Sequence, residues 1–334
     1  MSVIFANAVQ QRLIDMHGTN ISAGAIYPAG YIEALMSPFN KSSPLSTRLI
    51  KNNGKKRTIE NIYFKRAPIT EILTAIPTTC GGNQPDTFSV IVDCNNEVAI
   101  KRDIDRETLQ KIEEADEAFI NEFIASHFSV IKQHINTVAL ADQVLPANLG
   151  VYQDNTSVKS FPLINGTAQL DVGQENKMLR EISKIGYGEM PLVIGHNEIY
   201  DYYAGVARFG SPSGSSGFDS SIAGKAHFFP DIAVNTAFAA TNHGIILVPR
   251  AVQYVDYNAQ TGAYARQYDD GSETSIVDPS TGIQYDFTLH YDKCAKKWSW
   301  VISTCFGFAR IPKGIFPVGD PLPPDVNGVL HFTT

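Results

Sequence analysis

A chain of 334 residues is long enough for one large domain or two to three modest ones, and a hydrophobic fraction of 43% supplies a substantial core. A charged fraction of 18% is low for a fully solvated surface, and a net charge of −7 excludes a molecule that coats itself in nucleic acid. Cys80, Cys94, Cys294 and Cys305 form no C-x-x-C pair, fit neither a zinc module nor a secreted disulfide framework, and are expected as buried thiols.

No apolar run approaches the roughly 20 residues that span a bilayer, so no membrane role is expected. The first residues lack a basic segment and carry Arg12 and Asp15, which is not a signal-peptide pattern; synthesis and folding in a cytoplasm are expected. Residues 1–45 combine a short amphipathic stretch (Phe5, Val9, Leu13) with Pro28, Gly30, Pro38 and Pro44. That composition predicts an extended arm with one small helix rather than a core unit.

Residues 46–104 change character. RTIENIYFK and DTFSVIVDCNNEVAIKRDI are rich in β-branched and aromatic residues, and Asn53-Gly54 and Cys80-Gly81-Gly82-Asn83 are turn signals. The pattern predicts a long β-hairpin excursion. Six basic residues (Lys51, Lys55, Lys56, Arg57, Lys65, Arg66) stand against one acid, Glu60, within 51–66. Such a run marks either a solvated strand face or a contact arm.

Residues 105–145 predict one long helix. Asp105 is placed to cap it, and Glu107 lies in its first turn. Ile112, Ala115, Phe119, Phe123, Ile124, Phe128, Ile131, Ile135 and Val138 recur at spacings of three and four, which keeps one face apolar. No Gly or Pro interrupts before Pro146, so about 40 residues would reach roughly 60 Å, with a break expected, if anywhere, near Thr137. Its start is acidic: 105–122 holds seven acids against Arg106 and Lys111.

The remainder reads as mixed α and β. Residues 174–185 form an amphipathic helix closed by Gly186, 190–194 a short buried strand, and 197–205 a second helix. A Gly/Ser-dense flexible tract spans Phe209 to Gly224. GIILVPRAVQYVDY, IQYDFTLHYD and KKWSWVISTCFGFARI are strand-like, and the tail ends in Val329-Leu330-His331-Phe332 after four prolines.

Sites for chemistry fail on spacing. Gly210-Ser211-Pro212-Ser213-Gly214 puts proline where a nucleophile elbow needs serine. Gly217 to Gly224-Lys225 is two residues too long for a phosphate loop, and Ala226 replaces its hydroxyl residue. His127 and His134 are seven apart, too far to chelate one ion unaided, and read as solvated or interfacial. His196, at a strand end, is the one candidate for catalysis, against a plain capping role. Trp298, Trp300, Phe306 and Phe308 read as core or interface packing. Asn165-Gly166-Thr167 has no meaning without a secretory route. No catalytic residue, metal ligand or cofactor is expected.

Taken in order, these elements resemble the major capsid protein of tailed bacteriophages, the Hong Kong 97 capsid fold. VAIKRDIDRETL (98–109) resembles the strand entering that family's spine helix, and LADQVLPANLG (140–150) its exit. The segment 174–195 resembles the axial domain's helix–strand unit. The resemblance implies an α+β chain: an N-terminal arm (1–45), an extended β-hairpin E-loop (46–88), and a peripheral domain with strand and spine helix (89–145). An axial α/β domain with returning peripheral strands (146–310) and a C-terminal peripheral segment (311–334) would follow.

It further implies a subunit assembling in many copies, as hexamers and pentamers, into an icosahedral virion shell around double-stranded DNA. The DNA would be touched only non-specifically on the inner face, with portal, scaffolding or decoration proteins as further partners. In such shells the E-loop crosses a neighbour's peripheral domain. Lys55, Lys56, Arg57, Lys65 and Arg66 are therefore expected to approach Glu113, Glu114, Glu117 and Glu122 of the next copy. The rival readings are a double jelly roll, an encapsulin-like compartment, and a hydrolase built around His196.

Overall fold

The computed structural model describes residues 29–40, 46–53, 56–64, 87–104, 117–144, 159–160, 177, 190–196, 221–222, 226–239, 243–249, 251–256, 265–268, 271–278, 281–292, 294–295, 297–310 and 329–333. The fold is mixed α and β, as the sequence pattern predicts, with the described strands gathered into three sheets and the described helices packed between two of them.

The first sheet is antiparallel, in the order β1 (Ser46–Asn53), β2 (Lys56–Phe64), β3 (Thr87–Cys94). Strands β1 and β2 pair on either side of the predicted Asn53-Gly54 turn signal, with Asn53 opposite Lys56 and a bulge between Leu49 and Lys51, while 65–86 of the predicted long excursion lie outside the described residues. The second sheet runs β10 (Val252–Asp256), β14 (Lys297–Arg310), β13 (Gln284–Asp292), β12 (Gly271–Val277), β11 (Ala265–Tyr268). Its β14 is also flanked by β4 (Asn96–Ile104). The stretch read as one strand-like run, 86–104, therefore divides at Asn95, and its halves serve two sheets.

The third sheet runs β5 (Lys159–Ser160), β15 (Val329–Thr333), β9 (His243–Leu247), β6 (Leu192–Gly195), β8 (Ala226–Pro230), β7 (Ser221–Ile222). The β6/β8 and β15/β5 pairs are parallel and the rest antiparallel. Strands β6 and β9 are buried on both faces, as the apolar Leu-Val-Ile-Gly and Gly-Ile-Ile-Leu runs require.

Helix α1 (Gly30–Met36) ends where Ser37 turns extended ahead of Pro38. Helix α2 (Glu117–Val144) has 28 residues, about 42 Å at 1.5 Å per residue. Phe128, Ile131, Ile135, Ala139 and Leu140 form its buried stripe, and Phe128 meets the edge of Tyr285 at 4.8 Å. A short α3 (Ala233–Ala237) follows β8. One apolar core joins α1, α2, α3, the second sheet and the third.

Several expectations are corrected. Residues 29–40, read as part of an arm, belong to the core: Tyr31, Ile32 and Ala34 are 0% exposed. Spacing alone cannot distinguish a seven-residue buried helix from an arm helix. The helix runs straight through Thr137: no Gly or Pro interrupts 117–144, and the Thr137 hydroxyl donates to the Gln133 carbonyl at 3.0 Å within the continuous helix.

The run 244–257 is two strands in two sheets, because Pro249 has no N–H for a ladder and Ala251 N closes a turn on Val248 O at 3.0 Å. Ser221–Ile222, inside the Gly/Ser tract, pairs as β7 with β8. Cys294 is exposed, whereas Cys94 and Cys305 are buried as expected. The 28-residue helix and the mixed third sheet do not fit a double jelly roll.

The helix start (105–116), the helices at 174–185 (apart from Lys177) and 197–205, and the amphipathic stretch near Leu13 lie outside the described residues, as does Cys80. Among the described residues no helix is long and apolar enough to cross a membrane, and no three His, Cys, Asp or Glu side chains are grouped to hold a metal.

Candidate assembly surfaces

The hairpin sheet is seated on β14 through apolar contacts. Tyr63, Val90, Val92 and Ala309 form one small cluster, and Ile59, Cys94 and Cys305 another, with Val255 packed against both. Gly307 records how close this seat is: a Cβ there would lie 2.5 Å from Asp93 O. Tyr63 also hydrogen-bonds Gln253 of β10. Sheet two is thus covered by α2 on one face and by the hairpin sheet on the other, which explains why β14 is buried on both faces from Thr304 to Gly307.

The outer strand β1 is different. Ser46 to Ile50 are all exposed, and Leu49, Ile50 and, on β3, Ile91 stand 39%, 49% and 58% accessible. The sheet is held in register by polar cross-strand pairs: Thr47 donates to Asn61 at 2.9 Å, Thr58 to Asp93 at 2.6 Å, and Arg48 forms an ion pair with Glu60. The pairs fix the shape of the hairpin while its outer strand keeps an open edge among the described residues.

Of the predicted contact residues, Lys56 and Arg57 sit at the start of β2, paired with Asn53 and with Asn52 and Cys94 respectively. They are therefore at the hairpin tip. Lys55, Lys65 and Arg66 lie outside the described residues. Glu117 and Glu122 belong to the first part of α2, while Glu113 and Glu114 lie outside the described residues.

The remaining candidates resolve as packing. His127, read as solvated or interfacial, is 7% exposed, set edge-on to Trp300 at 5.0 Å and reached by Arg102 Nε at 3.5 Å. His134 is exposed, so the two histidines do not share an environment. His196 is half-buried, and its Nδ1 has no hydrogen-bond partner among the described residues. Trp300 and Phe306 are buried and Phe308 partly so, as read from the alternation.

Sequence reading missed the polar joint between the helices and the third sheet. Asp231, buried after β8, accepts Tyr31 N (2.9 Å) and Asn136 Nδ2 (2.8 Å) on Oδ2, and Ala233 N (2.8 Å) on Oδ1. Asn136 Oδ1 accepts Ile32 N at 2.9 Å. One carboxyl therefore caps both α1 and α3, neither of which carries its own side-chain cap. Burial is the main cause that raises its pKa above the ordinary aspartate range, against the lowering effect of Asn136 and the two backbone donors.

Beside it, Lys132 Nζ, nearly buried, donates to Glu33 Oε1 at 2.8 Å. Gly30 approaches Pro230 so closely that a Cβ would lie 2.3 Å from its carbonyl oxygen. A sequence signal existed: Lys132 and Asn136 are polar residues four apart bordering the apolar stripe.

No family model matches this chain, and no curated relative does. Similar solved structures come from phages. One from Mycobacterium phage Che8 is 11% identical with a TM-score of 0.40, covering 89% of this chain and 95% of that one. The capsid asymmetric unit of Cyanophage A-1(L) is 11% identical with a TM-score of 0.46, covering 84% of this chain and 89% of that one. The mature capsid asymmetric unit of bacteriophage PhiM1 is 9% identical with a TM-score of 0.40, covering 85% and 83%.

Proposed function

We propose that this chain is a structural subunit, a major capsid protein of the tailed-bacteriophage type, that assembles in many copies into the shell of a virion. The observation that carries this reading is the hairpin sheet. It is firmly seated on β14 at its inner strands, yet it presents an exposed edge strand with Leu49, Ile50 and Ile91 in solvent. A lone protein gains nothing from such an edge and risks aggregation, whereas a subunit that covers it in an ordered assembly does gain. The order hairpin, long helix, sheet of returning strands agrees with the element order of the Hong Kong 97 capsid fold.

On this reading the shell is icosahedral, built of hexamers and pentamers, and formed in a host cytoplasm. Packaged double-stranded DNA meets its inner face without sequence specificity; portal, scaffolding or decoration proteins are further partners. The basic residues Lys55, Lys56, Arg57, Lys65 and Arg66 of one copy approach Glu113, Glu114, Glu117 and Glu122 of the next. Negative-stain microscopy of the expressed protein tests the function. Uniform capsomer rings or closed particles are expected; a monomer that persists at high concentration overturns it.

A further inference from the structure

Where the hairpin sheet meets β14, two cysteines face one another. On β3 the buried positions are Val90, Val92 and Cys94, so Cys94 points toward β14. On β14 the alternation sends Trp300, Ile302, Phe306 and Phe308 to the main core, and Cys305 and Ala309 to the hairpin side. Cys94 is 0% exposed and Cys305 8%, and the two share one apolar cluster with Ile59. Both are thiols in this structure.

Backbone meets backbone at this seat. A Cβ on Gly307 would lie 2.5 Å from Asp93 O, two residues from Cys305 and one from Cys94; ordinary stacked sheets stand roughly 10 Å apart. Cys305 Sγ donates to the Cys94 carbonyl oxygen at 3.0 Å. Cys94 Sγ reaches Val255 O, on the residue paired with Gly307, at 3.8 Å. Each sulfur thus lies beside the other strand's backbone at neighbouring positions of one interface. A change of χ1 at either residue is the movement that brings sulfur to sulfur.

We propose that Cys94 and Cys305 are a disulfide-forming site that fixes the hairpin sheet to β14 in oxidising surroundings. The oxidant is a small disulfide. Cys305, the more exposed of the two, attacks one of its sulfurs as thiolate and releases one small thiol; the Cys94 sulfur then attacks Cys305 in the mixed disulfide and releases the second. Two protein S–H bonds and the reagent's S–S bond are broken, and one protein S–S bond and two reagent S–H bonds form. The protein gives up two electrons to the reagent, and its two thiol protons end on the released thiols. A reducing cytoplasm keeps the pair as thiols. Closure needs a single chain, so it is independent of whether copies assemble.

The test treats the folded full-length protein with cystamine, blocks the remaining thiols and maps the peptides without reduction. A Cys94–Cys305 link is expected, beside cystamine adducts on the exposed Cys294. Amide exchange across 87–94 should slow about tenfold or more in the linked protein, and recover on reduction with dithiothreitol. Cys305→Ser keeps a donor for Cys94 O and should show neither link nor slowing. Adducts on Cys294 with Cys94 and Cys305 left as thiols overturn the proposal, as does a link from either of them to Cys80. A Cys94–Cys305 link that leaves exchange across β3 unchanged overturns it too. Should the serine variant not fold, the wild-type map and exchange decide.

Discussion

Buried ionisable groups are the residues where this chain departs most from what polarity alone suggests. Asp256, on the last position of β10, accepts Gln284 N at 2.9 Å, and burial pushes its pKa up from 3.8 to about 6. The folded state holds the proton more tightly than the unfolded chain, so this group adds stability as the pH falls from 7 toward 4. Between pH 7 and pH 5 the gain is about 1 kcal/mol. Replacing Asp256→Asn should remove that slope, and chemical denaturation at the two pH values reads it; an unchanged slope would show that another group is responsible. None of this was legible in the sequence, where Asp256 sits in a strand-like run with no sign that its partner is 28 residues away.

At the scale of elements, the contact between the hairpin sheet and β14 depends on the absence of a side chain. Gly307→Ala would drive a methyl against Asp93 O at 2.5 Å and Val92 Cγ1 at 3.0 Å, and backbone cannot yield as a flexible side chain does. The expected cost is about 1–3 kcal/mol, with faster amide exchange across 87–94 as the hairpin sheet lifts. Stability equal to wild type would mean that the seat is looser than its geometry. The periodicity of α2 was readable because an apolar stripe at helical spacing survives in the bare sequence. The pairing of α1 with Asp231 and Asn136 was not, because those residues are 200 and 104 positions from Tyr31 and Ile32.

At the scale of the molecule, the proposed assembly adds a prediction about charge. Reversal of Lys55, Lys56 and Arg57 to glutamate should impair particle formation at moderate salt while leaving the monomer folded, as judged by sedimentation beside circular dichroism. Each exposed pair is worth only about 0–1 kcal/mol, so the loss becomes visible through repetition around closed rings. Normal particles from the triple variant would remove the basic tip from the interface. Lys56 and Arg57 lie at the start of β2 and Glu117 and Glu122 in the first part of α2, so the variant alters only the hairpin.

The long helix illustrates the division between sequence and tertiary structure. Its apolar repeat, the β-branched runs of the hairpin and the unbroken apolar strands 192–195 and 243–247 are local patterns, and local pattern dictated those elements. Which sheet each strand joins was decided only in three dimensions. Asn95 and the turn at 248–251 redirect continuous strand-like text into different sheets, because burial on both faces of β14 requires partners from distant segments. The buried polar joint at Asp231 and the facing thiols of Cys94 and Cys305 likewise arise where separate elements meet, with hydrogen bonding and desolvation as their physical terms.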